Sequence, residues 1–121
     1  MQLIKKDQQK NIQGEMCGSL IEVLNQKDFP FGIVVSEDIR STEAHYHKES
    51  KKCYWMLEGW VDLVIENVKT GEKTSTKLED GDLITFEPFE KHQIINASEK
   101  NKLVTISSPA WHIDDVVADI N

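Results

Sequence analysis

The chain has 121 residues, 39% hydrophobic and 29% charged, and its 14 basic and 21 acidic side chains leave a net charge of −7. That length suits one domain around a single core, and an acidic surface repels nucleic acid and anionic membranes, so neither is an expected partner. No run reaches the roughly 18 apolar residues of a membrane span.

The opening MQLIKKDQQKNIQGE has no apolar signal core, so the expectation is a cytoplasmic protein. Its residues 5–15 are polar and patternless and read as a loose amino-terminal lead. Short runs rich in Val, Ile, Phe and Tyr follow at 20–24, 31–36, 53–58, 60–66, 83–86, 92–96 and 102–107. Breakers separate them, among them Lys27 to Pro30, Glu58-Gly59, Lys69 to Glu72, Glu79 to Asp82 and Asn96 to Asn101. In 60–66 the residues Val61, Leu63 and Ile65 alternate with Asp62, Val64 and Glu66, which predicts one buried face. Closely spaced strands without helices between them argue for an all-β sandwich or barrel. The closing AWHIDDVVADIN predicts a short helical turn, with Asp114 as its cap and Val116, Val117 and Ile120 facing the barrel. The two cysteines, Cys17 and Cys53, lack metal spacing and read as free thiols.

The chemistry lies in EAHYHKESKKCYWMLEGW, residues 43–60. Positions i and i+2 of a strand share a face, so His45 and His47 aim at one point with Tyr46 on the other side. Imidazole is the commonest metal-binding side chain, and two on one strand make half of a mononuclear site. The bland alternative is a half-exposed polar strand face. A third histidine, His92, sits in GDLITFEPFEKHQIIN after the Gly81-Asp82 turn and Pro88 and before Asn96.

Together the two stretches resemble the cupin family. His45, His47 and Gly59 match its first motif, and Gly81, Pro88, His92 and Asn96 its second, with 21 residues from Trp60 to Asp80 between them. The resemblance covers about residues 31–107 and implies a double-stranded β-helix, the jelly-roll barrel, with an amino-terminal arm at 1–19 and a tail at 108–121. It also implies a divalent metal (Fe, Mn, Ni, Zn or Co) held by His45, His47 and His92, and a homodimer. The amino-terminal segment and strand 20–24 are the expected crossing elements of that dimer.

The departures matter as much. The family's glutamate ligand falls on Lys52, or on Lys51 at the shorter spacing; Ile39 replaces one motif glycine and Phe89 or Glu90 another. An ammonium beside a dication is repelled by several kcal/mol, roughly twice the ~4 kcal/mol of two unit charges at 4 Å. Lys52 therefore turns away from a three-histidine site, loses its proton through burial, or marks a cavity without metal. Glu49 is a substitute carboxylate, while Glu87 and Glu90 read as solvated rim. Tyr54 and Met56 share parity with Lys52 and are expected to line the substrate cavity, whereas Cys53, Trp55 and Leu57 face away. Trp60 reads as packing, and His112 as a residue outside the site.

Lys52 and His92 are the candidate catalytic pair, the histidine as base. The implied function is action on a small polar metabolite, a sugar or sugar-acid derivative first, by isomerase, epimerase or dioxygenase chemistry. A non-catalytic binding or sensor module and a purely structural dimerisation barrel are the other readings.

Overall fold

A computed structural model describes residues 1–14, 18–110 and 115–118. Two antiparallel sheets face each other. Eleven strands form among these residues: β1 Lys10–Gly14, β2 Gly18–Leu24, β3 Gly32–Glu37, β4 His45–His47, β5 Lys51–Glu58, β6 Val61–Asn67, β7 Lys73–Leu78, β8 Leu83–Phe86, β9 Glu90–Ala97, β10 Lys102–Ser108 and β11 Val116–Ala118. One sheet runs β1-β2-β3-β10-β5-β8 and the other β11-β4-β9-β6-β7. The architecture is all-β, as the spacing of apolar runs predicts, and it is the jelly roll that the cupin resemblance implies. No described helix is long and apolar enough to cross a membrane.

The core lies between the sheets, where alternate residues of each strand meet. Tyr54 and Met56 of β5 and Leu103 of β10 come from one side; Val61 and Leu63 of β6 and Ile94 of β9 come from the other. Met56 and Val61 are fully buried. Intervening residues point outward, so Trp55 and Leu57 are exposed. This two-residue period confirms the register read for β5 and β6.

Three segments differ from the sequence reading. Residues 10–14 form a hairpin with β2, Lys10 opposite Glu22 and Gly14 opposite Gly18. Ile12 is the one apolar residue in that strand, too few to show a period. β2 is therefore paired on both sides within its own chain, with β1 and β3, and does not offer a free edge to a partner. The expected carboxy-terminal helical turn is a strand over Val116–Ala118, pairing Val116 with His47 and Ala118 with His45. Two adjacent β-branched valines beside the open edge of β4 favour pairing over helix. Asp114, Ile120, Cys17 and His112 lie outside the described residues.

Two motif positions have clear backbone reasons. Gly59 has φ +81°, and a Cβ there would run into Ser98 Oγ and Lys100 O, so only glycine suits it. Phe89, at a position where the motif has glycine, keeps a glycine-like φ of 68°. Its amide donates to His47 O at 2.9 Å, and its ring lies 5.8 Å from that of Tyr46.

Candidate active site

Sheet geometry brings the three histidines together. His45 and His47 alternate on β4, and His45 pairs directly with His92 of the neighbouring β9. One ring nitrogen from each of the three lies within 4.8 Å of the others. The His92 ring stacks on Phe86 at 4.2 Å between centroids and meets Tyr54 edge-on at 5.6 Å. His47 and His92 are 2% and 1% exposed; His45 is partly open.

Each ring is oriented through its outer nitrogen. His45 Nδ1 donates to Glu43 O at 3.1 Å, and His92 Nδ1 donates to Glu90 O at 3.0 Å. His47 Nδ1 donates to Asp115 Oδ2 at 3.0 Å. Carbonyl and carboxylate partners accept only, so the proton is assigned to Nδ1 and each Nε2 lone pair points inward.

Asp115 is buried and also accepts from the amides of Glu49 at 2.6 Å and Ser50 at 3.3 Å. Burial pushes its carboxyl pKa up, but hydrogen bonds from Glu49, Ser50 and His47 outweigh that and hold it below the ordinary value. Asp115 was missed in the sequence because it stands in a tail read as helical. Its signal was the acidic pair before two valines.

Lys52 closes the cluster. Its Nζ lies 3.3 Å from His45 Nε2 and 3.5 Å from the Nε2 atoms of His47 and His92. Burial lowers its pKa from 10.5 to about 8. His45 is lowered to about 4, first by burial and then by the Lys52 charge, with the Glu43 carbonyl acting against them. Burial, then Lys52, then His45 push His92 well below its ordinary value. The resting arrangement at neutral pH is an ammonium among imidazoles, with His45 and His92 neutral.

The three imidazoles by themselves are close enough to hold a metal ion. The site as a whole does not fit one, because the Lys52 ammonium stands among the same three nitrogens. Glu49 is exposed and reaches the cluster only through its backbone amide to Asp115. Glu87 is bound up with Lys51 at 3.5 Å on the surface, and Glu90 Oε1 accepts from the Glu87 amide at 2.6 Å. Cys53 pairs with Ile106 and Thr85 on the outward register of its strand. Lys77 Nζ covers the Trp60 ring at 3.9 Å from its centroid, consistent with packing.

A cavity of about 330 Å³ opens above Lys52 and His45, with Tyr54, Thr105 and Ser107 in its wall. Ile12, Leu20 and Glu22 of the amino-terminal hairpin also line it. Tyr54 lines this cavity and also belongs to the core cluster. Met56, one alternation further along β5, is fully buried in the core cluster. Glu22 is a second cavity-lining residue the sequence reading missed, because strand 20–24 reads as a dimer-crossing element and its hairpin partner as a loose lead.

The profile of the family described as "Cupin domain" matches residues 34–108, and the chain belongs to that family. A search of curated proteins finds no significant match. Among solved structures the chain is similar to oxalate decarboxylase from Bacillus subtilis, with TM-score 0.78 and 17% identity over 93% of this chain and 30% of that one. It is also similar to CapF, solved with the inhibitor 3-isopropenyl-tropolone, with TM-score 0.74 and 12% identity over 90% of this chain and 33% of CapF. The chain thus spans about a third of the length of these two. A Streptomyces Pac13 variant solved with uridine matches along most of both chains, 97% of this one and 89% of that, with TM-score 0.75 and 15% identity. Pac13 is described as a nucleoside dehydratase.

Proposed function

We propose that the chain binds a small polar metabolite in the barrel cavity and moves a proton on it, as an isomerase or epimerase of a sugar or sugar-acid derivative. The observation that carries this is that Lys52 and His45, 3.3 Å apart, both line one cavity of about 330 Å³. When the ligand enters, Lys52 turns one N–H away from His45 Nε2 to receive a carbonyl or carboxylate oxygen. That exchange frees the Nε2 lone pair of His45, a neutral ring lining the cavity, to act as the base for a proton beside that oxygen. His92, in contact with Lys52 at 3.5 Å, accepts from the ammonium and holds it on target. Glu22 gives the same cavity a negative side chain that suits the hydroxyl groups of a sugar. The solution of Pac13, a cupin of similar length, with uridine supports a sugar-bearing ligand.

Thermal-shift screening of sugar acids, keto acids and nucleosides in the presence of chelator tests this reading. A hit should raise the melting temperature of wild type and lose its effect in Lys52→Leu. Turnover of a hit, followed by proton exchange with deuterated water, separates an enzyme from a binding module. Binding without exchange favours the sensor reading, which the saturated hydrogen bonding of Lys52 also supports.

A further inference from the structure

An ammonium group carries three N–H donors. The Lys52 ammonium faces three Nε2 atoms at 3.3, 3.5 and 3.5 Å. Each of those nitrogens is an acceptor, because the other nitrogen of its ring donates to Glu43, Asp115 or Glu90. Three donors meet three acceptors.

We propose that Lys52 is the resident cation of this cupin, its ammonium taking the place of a metal ion and excluding divalent metals from the three-histidine site. A metal bound by the same nitrogens would stand about 2.0–2.1 Å from each, which is the space the ammonium fills. Among the described residues no carboxylate joins the three nitrogens to offset a double charge. A single positive charge suits neutral acceptors better.

Strand register keeps the lysine there. Lys52 shares its inward parity with Tyr54 and Met56, which are 4% and 0% exposed. Turning it to the outer face would carry those two out of the core. The Tyr54 ring adds a further hold, its centroid 5.2 Å from Nζ. Carboxylate ligation is thereby exchanged for an ammonium tripod at the same motif position.

This inference deepens the reading of the cavity without depending on which metabolite enters it. Its test is titration of the chelator-stripped full chain with Zn²⁺ and Ni²⁺, without metabolite, by calorimetry. Wild type should show no stoichiometric uptake, whereas Lys52→Leu should take one equivalent at least ~100-fold more tightly, since the like charge is gone. Lys52→Glu should bind more tightly still. Wild type binding one equivalent within ~3-fold of Lys52→Leu would overturn the proposal. If neither variant folds, ¹⁵N spectra of the wild-type imidazoles decide: Nε2 resonances unmoved by zinc support it, and three that move together overturn it. A wild type that takes zinc but still responds to a sugar acid would sink the resident cation and leave the metabolite reading standing.

Discussion

Asp115 reaches back across 68 positions of the chain to accept the Nδ1 proton of His47 at 3.0 Å. The same carboxylate takes the amides of Glu49 and Ser50, so one side chain aims an imidazole and stitches β11 to the loop after β4. Asp115→Ala leaves three donors, two of them buried, without that acceptor and should lower unfolding free energy by about 3 kcal/mol. Asp115→Asn, which keeps the shape but loses the charge, should fall between the two. Urea denaturation followed by tryptophan fluorescence checks both.

The lowered pKa values of the cluster set an acid limit. His45 titrates near 4 in the folded chain against 6.5 ordinarily, and His92 is depressed in the same direction. Between pH 6.5 and 4 the unfolded chain binds the additional protons, so the histidines' contribution to stability is full above 6.5 and falls as pH drops toward 4. Lys52, lowered from 10.5 to about 8, acts the same way on the alkaline side: stability rises as pH goes from 8 to 10.5. Lys52→Leu should abolish the alkaline rise. Thermal melts of metal-free protein across pH 4 to 10.5 would refute this if the wild-type curve stayed flat above 8.

Gly59 makes a sharper test of backbone constraint. Its φ of +81° and the close approach of Ser98 and Lys100 leave no room for a methyl group. Gly59→Ala should cost about 3 kcal/mol, the strain of the left-handed backbone adding to the displacement of neighbouring main chain. Gly71→Ala, at φ +79° with open space around it, should lose only about 1 kcal/mol. Equal losses at the two sites would refute the steric account.

The outward face of the six-stranded sheet carries Trp55 opposite Leu83, 43% and 55% exposed, with Leu57 beside them at 41%. Large apolar side chains clustered on a strand face favour self-association. The chain is expected to sediment as a dimer, at twice its 13.9 kDa, and the double change Trp55→Lys, Leu83→Lys to shift it toward monomer. Unchanged sedimentation of that variant would move the interface elsewhere.

What the sequence made legible follows physical rules with short reach. Alternation exposed the inward parity of Lys52, Tyr54 and Met56, and the paired motifs placed His92 opposite His45 and His47. Asp115 escaped because its role depends on pairing between segments far apart in the chain, which no local period records. Ile12 escaped because a hairpin strand with one apolar residue carries too little pattern, and Glu22 because no local period shows that strand 20–24 folds over the cavity. β7, Lys73–Leu78, is legible only through the interval between the motifs, since just Leu78 in it is buried.

The long reach from His47 to Asp115 has a consequence for how the protein acquires its chemistry. Closing so long a loop is among the slower steps available to a small β domain. Three histidines can gather on β4 and β9 before then, but the ring of His47 has no carboxylate to set its tautomer until β11 docks. The orientation of His47 should therefore be fixed only when β11 docks during refolding. A probe on Trp55 would report barrel closure and the His47 resonances the docking of β11, and any interval between the two signals would be the docking time of a three-residue strand.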